Sequence, residues 1–269
     1  MKETIRQILL SLGADVCGFG SLNRFENAPV GFSPKDVWPD CRTVIAFGIA
    51  LPKGLLEAPG DLIYGHFNAM TANTIDRIGL EAARRIEAGY PAKVMPIPCD
   101  APYDAWDAET MTGKGILSMR HAAVACGLGQ VGKSSLLLNP TYGNRLTIGV
   151  LLTDLVLQSD DLCESICIPN CTRCVDACPA NAIQPDGIIQ QEKCRPTPSA
   201  RMPRDLPRFA AIPAARCVPC GLENQKLNNM QEPRNQNGSG VRLCSFARLN
   251  DRSSGPWHPP HQTGGRSNC

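Results

Sequence analysis

The chain has 269 residues, 43% of them hydrophobic, a formal net charge of +2 and fourteen cysteines. That length allows one sizeable core plus a smaller module, and it is too long and core-rich for a secreted disulfide scaffold. With charge nearly balanced and no long run of one sign, nothing in the composition argues for a general nucleic-acid- or membrane-binding surface.

The opening MKETIRQILLSLG carries Glu3 and Arg6 inside its apolar pattern, unlike a signal peptide. Ile5, Ile8, Leu9 and Leu12 recur at helical spacing and Gly13 closes the turn, so a helix is predicted over 3–12. A short strand interrupted by glycines follows over 15–22, then a loop marked by Pro29, Pro34 and Pro39. Residues 42–51 (RTVIAFGIAL) have the β-branched pattern of a buried strand. A long helix is expected over 61–89, with Ile75, Ile78, Ala82 and Ile86 on one face and Gly89 as its stop.

Another short strand is read at 92–98. Residues 99–113 gather Asp100, Asp104, Asp107 and Glu109 around Tyr103 and Trp106, the composition of a loop over a site. The alanines of 116–126 predict a helix, a glycine loop comes next, and 145–154 (RLTIGVLLTD) reads as a strand. Strands alternating with helices give an α/β or α+β core over residues 1–157. The longest apolar stretch, 146–157, is broken by Thr147, Thr153 and Asp154, too short and polar to cross a bilayer. The expectation is a soluble, cytoplasmic protein with no membrane partner.

Nine of the fourteen cysteines lie between Cys163 and Cys244, and four fall in CIPNCTRCVDACP at 167–179. Their gaps are three, two and three residues, with Pro179 after the last. An iron–sulfur cube needs thiolates on a tight loop turned toward one point, and C-x2-C-x3-C-P is how ferredoxin-type loops supply them. A zinc knuckle is the alternative that C-x2-C alone leaves open, but four cysteines so close and ending in Cys-Pro favour iron–sulfur. The first gap departs from the bacterial ferredoxin run, which has two residues there. Asp186-Gly187 then signals a turn, Cys194 stands alone, and a proline-rich linker over 196–213 leads to Cys217-x2-Cys220. From 224 onward Asn, Gln, Ser, Gly and Pro dominate, as in an irregular, unpacked tail.

Residues 127–134, GLGQVGKS, satisfy two nucleotide fingerprints, G-x-G-x-x-G and G-x-x-x-x-G-K-[ST]. Both need a buried strand before the glycines and a helix after them, whereas an alanine-rich helical segment precedes these. The simplest alternative is a glycine turn for close packing. The preferred expectation is a backbone loop approaching a flat or anionic cofactor through Gly127, Gly129, Gly132 and Lys133.

The block 115–154 (GILSMRHAAVACGLGQVGKSSLLLNPTYGNRLTIGVLLTD) followed by the cysteine loop resembles the epoxyqueuosine reductase family. Its short, clostridial-type relatives share the three-residue first gap, and reductive dehalogenases are more distant relatives with similar parts. The resemblance implies an N-terminal domain at 1–157, a ferredoxin-like module with two [4Fe–4S] clusters at 158–223, and an atypical tail at 224–269. By position, Cys167, Cys171 and Cys174 match three ligands of the first cluster. Cys178, Cys194, Cys217 and Cys220 match those of the second. The family's closing C-x2-C-x3-C-P is absent, with Asn224 where it should begin, which leaves Cys163 or Cys244 as the remaining ligand of the first cluster.

Better-known members bind cobalamin and reduce a modified nucleoside in transfer RNA. The resemblance therefore implies a corrinoid, an external donor such as ferredoxin or flavodoxin, and a small-molecule or nucleoside substrate. Gln130 stands where the full-length family has tryptophan, and Gly113 where it has an aspartate proton donor. Asp107 and Glu109 are the acids that stand in for that donor. His121 is read either as a cobalt-facing or proton-relay residue or as a helix histidine satisfied by a backbone carbonyl. Lys133 and, more weakly, Arg145 are placed at a cofactor edge. Three functions follow: a reductase, an electron-transfer partner without its own substrate, and a P-loop ATPase with the cluster as sensor.

Overall fold

In the computed structural model of the chain the described residues are 1–58, 62–100, 104–109 and 112–194. Cys217, Cys220, Cys244, the linker at 196–213 and the tail at 224–269 lie outside them.

The chain opens with α1 (Lys2–Ser11), which buries Ile5 and Leu9 on one face. Strand β1 (Val16–Ser21) follows. The one-turn helix α2 (Pro34–Val37) is started by a Ser33–Asp36 capping box with proline at its first position. Strand β2 (Thr43–Ala50) comes next, then the single turn α3 (Gly54–Glu57) and the long helix α4 (Leu62–Gly89). After β3 (Val94–Ile97), the acid-rich segment forms a small hairpin, β4 (Ala105–Asp107) with β5 (Thr112–Lys114). Helix α5 (Met119–Ala125), the hairpin β6 (Gln130–Val131) and β7 (Leu137–Leu138), and strand β8 (Leu146–Thr153) complete the sheet domain. Two further single turns, α6 (Arg173–Asp176) and α7 (Gln191–Cys194), lie in the cysteine-rich part.

The main sheet runs β1–β2–β8–β3, and every neighbouring pair is antiparallel. Of the two fold classes the sequence left open, the pairing is that of α+β. β2 and β3 flank β8, so the β2–α4–β3 connection is a crossover whose central slot is filled later in the chain. Alternation along β2 shows how the layers form. Ile45 and Phe47 face α1 and α4, packing with Ile5, Leu9, Ile75, Ile78, Ala82, Ile86 and Leu151. Val44 and Ala46 face α5, with Ala122, Ala123, Cys126, Ile148, Val150 and Leu152. The sheet is therefore covered on both faces, and each fully buried Val, Ile, Leu or Phe contributes roughly 1.5–3 kcal/mol. No described helix is long and apolar enough to cross a membrane.

Candidate functional site

The cysteine loop starts where the sheet domain hands over. Cys174 and Cys178 are buried with Ala182 and Ile183, and Cys194 packs against the same cluster. Burial pushes the Cys174 thiol up, and the neighbouring Cys167 and Cys171 add to the rise through their negative charge. Cys167, Cys171, Cys174 and Cys178 carry no disulfide. Asn170 and Asn181 adopt positive φ (60° and 47°), the left-handed turns that fold a chain this short back on itself. Among the described residues no three Cys, His, Asp or Glu side chains already converge as a metal cage. The donor set fits an iron–sulfur group by its chemistry, thiols only, on one short loop.

Cys163 stands at the start of the cysteine loop. Its thiol donates to the Gly127 carbonyl at 3.0 Å, and the Gln130 amide donates to the Cys163 carbonyl at 2.7 Å. Both contacts fasten the start of the cysteine loop to the glycine loop.

The glycine loop itself is no nucleotide cradle. Gly127 takes φ +78°, with Gly127 N–H donating to Val124 and Leu128 N–H to Ala123, the bond pair of a Schellman motif. It closes α5 instead of opening a helix, and the chain then enters the β6–β7 hairpin. The P-loop reading is corrected on that order of elements. A Cβ on Gly127 would stand 2.1 Å from the Asp161 carbonyl oxygen, and one on Gly129 would stand 2.1 Å from that of Leu138. Packing alone therefore demands these two glycines. Gly132 sits over the Leu138 side chain in the same way.

Lys133 faces the cysteine loop. Its Nζ donates to the Cys171 carbonyl at 3.1 Å, and its main chain lies against Gly187. Val131, Gly132, Lys133, Cys167, Pro169 and Asp186 line a cleft of about 310 Å³ between the hairpin and the cysteine loop. A third link comes from β5, where the Gly113 N–H donates to Gln191 Oε1 of α7 at 3.1 Å.

The expected catalytic residues are not brought together. Asp107 ends β4, exposed, and accepts from the Glu109 N–H at 2.9 Å; Glu109 is exposed in the turn beyond. His121 is exposed on the first turn of α5, its Nδ1 2.7 Å from the hydroxyl of Ser118, which caps the helix. The histidine is satisfied locally, by a side-chain hydroxyl in place of the expected carbonyl. Arg145 is buried, bonded to the Leu51 carbonyl and stacked over Tyr142 at 6.0 Å, so it braces the sheet domain.

Sequence reasoning missed Asp160. Its carboxylate meets Lys2 at 2.6 Å and Arg6 at 2.9 Å, and it accepts the Phe19 N–H at 3.0 Å. Burial alone would raise its pKa, but the hydrogen bonds and charges of Lys2 and Arg6 outweigh that and hold it below the ordinary aspartate value. Asp160 thereby rivets the connector to α1 and β1 three residues before Cys163. Nothing in an Asp-Asp pair between Ser159 and Leu162 signals such a role.

Against known proteins, the chain is 28% identical over 222 residues to epoxyqueuosine reductase of Lactococcus garvieae, covering 72% of this chain and 59% of that protein. It is 28% identical over 219 residues to the Staphylococcus aureus enzyme, covering 72% and 55%. A 75-residue stretch is 45% identical to the enzyme of Cyclobacterium marinum, covering 28% of this chain and 24% of that one. This chain is a relative of the epoxyqueuosine reductases. It spans little more than half the length of the relatives it matches over most of its residues.

The fold agrees with theirs. The Streptococcus thermophilus epoxyqueuosine reductase structure superposes with a TM-score of 0.52 at 21% identity, over 72% of this chain and 56% of that one. An epoxyqueuosine reductase bound to an epoxyqueuosine-modified tRNA-Tyr stem loop gives 0.52 at 20%, over 72% and 55%. A catabolic reductive dehalogenase bound to 3-bromo-4-hydroxybenzoic acid gives 0.52 at 19%, over 71% and 28%. No protein-family model matches the chain.

Proposed function

We propose that the chain is an iron–sulfur oxidoreductase of the epoxyqueuosine reductase kind. Thiolates of Cys167, Cys171 and Cys174 with Cys163 or Cys244, and of Cys178, Cys194, Cys217 and Cys220, hold two [4Fe–4S] clusters that serve a substrate or corrinoid on the sheet domain. The observation that supports it is the seating of a four-thiol loop on the glycine hairpin through Cys163–Gly127, Gln130–Cys163 and Lys133–Cys171. A loop fixed this way keeps its cofactors at one distance from whatever the sheet domain carries. The clusters supply single electrons, and the residues around them supply burial and hydrogen bonds that set how readily those electrons move.

By analogy with the relative that binds a modified tRNA stem loop, a modified nucleoside is the proposed substrate class, and a ferredoxin- or flavodoxin-type protein the donor. A second reading, an electron carrier without its own substrate, is favoured by one observation. Asp107 Oδ1 accepts the Glu109 N–H and His121 Nδ1 meets the Ser118 hydroxyl, contacts made within their own turns.

Anaerobic purification with iron, sulfide and cobalt analysis, followed by EPR with and without added corrinoid, tests both. Close to eight irons per chain and a corrinoid-dependent spectral change are expected for two four-iron clusters serving a corrinoid. Full iron with no response to corrinoid or nucleoside supports the carrier. Colourless protein with zinc overturns the reading altogether.

A further inference from the structure

We propose that Lys133 is a redox-tuning residue, whose ammonium raises the potential of the cluster held by Cys167, Cys171 and Cys174. The inference rests on the reading above and adds to it the role of one positive charge.

Lys133 Nζ is anchored on the Cys171 carbonyl at 3.1 Å, one residue's backbone away from a ligating sulfur. The anchor is held from both sides. The turn at Gly132 and Ser135 fixes the lysine main chain, and Gly187, at φ +86°, lies with its Cβ direction 3.5 Å from Lys133 Cα. The side chain is half-buried, so water screens it less than it would an exposed lysine. Among the described residues no carboxylate lies within ion-pair distance of Nζ. Asp186 lines the same cleft, with one carboxylate oxygen accepting the Ile188 N–H at 2.9 Å.

Reducing a cluster adds one negative charge to a group already made negative by its thiolates. A fixed cation nearby favours the reduced form and raises the potential, and net charge is one of the factors that set it. The carboxylate of Asp186 works in the opposite sense.

EPR-monitored redox titration of the anaerobically reconstituted full chain tests this. Lys133→Gln keeps an amide donor for the Cys171 carbonyl and removes the charge; its midpoint is expected to fall, with iron and sulfide content unchanged. Lys133→Arg, which keeps the charge, is expected to stay near the wild-type midpoint. Asp186→Asn, which keeps the acceptor for Ile188, is expected to move the midpoint upward. Lys133→Met, which likewise removes the charge, decides the matter if the Gln variant fails to assemble. An unshifted midpoint in Lys133→Gln with full iron overturns the proposal, as does an unshifted Lys133→Met where the Gln variant carries no cluster. Absence of any iron–sulfur signal in the wild type overturns the underlying cluster reading instead, so the two failures are distinguishable.

Discussion

At the scale of single residues, the chain separates cysteines that belong to the core from those that face chemistry. Burial pushes Cys17 and Cys99 up to about 12 and Cys41 up to about 11, which keeps these three thiols protonated at neutral pH. Asp160 is the charged counterpart. Because its folded pKa is depressed, its stabilisation is fully present above the ordinary aspartate value and is lost as pH falls through the folded one. Asp160→Asn should therefore destabilise the protein by roughly 1–2 kcal/mol at pH 7, the scale of a partly exposed, charge-assisted network. The gap between variant and wild type should close as the solution is taken below about pH 4. Urea melts at pH 7 and at acid pH read this directly; an equal gap at both would remove the carboxylate charge as the cause.

At the scale of elements, the glycines of the β6–β7 region make a sharp contrast with the one that ends α4. A methyl on Gly129 meets the Leu138 carbonyl at 2.1 Å, backbone that cannot step aside, so Gly129→Ala should cost about 1–3 kcal/mol. Nothing lies within 4 Å of a methyl on Gly89, whose φ is ordinary. Gly89→Ala should leave stability unchanged or raise it by about 0.5 kcal/mol, which thermal unfolding of the pair checks.

The long elements were legible because they carry period. The stripe Ile75, Ile78, Ala82, Ile86 located α4, and apolar runs rich in β-branched residues located β2 and β8. What escaped were the hairpins β4–β5 and β6–β7, two or three residues a strand, too short for alternation to show. The antiparallel order escaped too, because β8 enters between β2 and β3 only after two intervening hairpins and a helix. The sequence of GLGQVGKS was ambiguous for a physical reason. A helix-ending glycine and a phosphate-cradling glycine both need positive φ or close backbone approach, and only the preceding helix tells them apart.

At the scale of the whole molecule, the two parts differ in what holds them together. The sheet domain buries two large apolar clusters, one on each face. The cysteine-rich part has a core of four buried residues, of which two are Cys174 and Cys178. A core that small cannot offset the ordering of some thirty residues, at roughly 1.5 kcal/mol each, so most of its order must come from its tethers and, on the proposed reading, from thiolate–metal bonds. Metal binding at such a site is folding free energy. Amide hydrogen exchange before and after anaerobic reconstitution should then show protection rising over residues 167–194, with Thr43–Ala50 and Leu146–Thr153 unchanged. The anchors at Asp160 and Gln130 predict that the rise begins beyond Cys163, because the connector is already fastened to α1, β1 and the glycine loop. Equal protection over 167–194 in both states would mean that the tethers alone order the loop, and that cluster binding is not coupled to its folding.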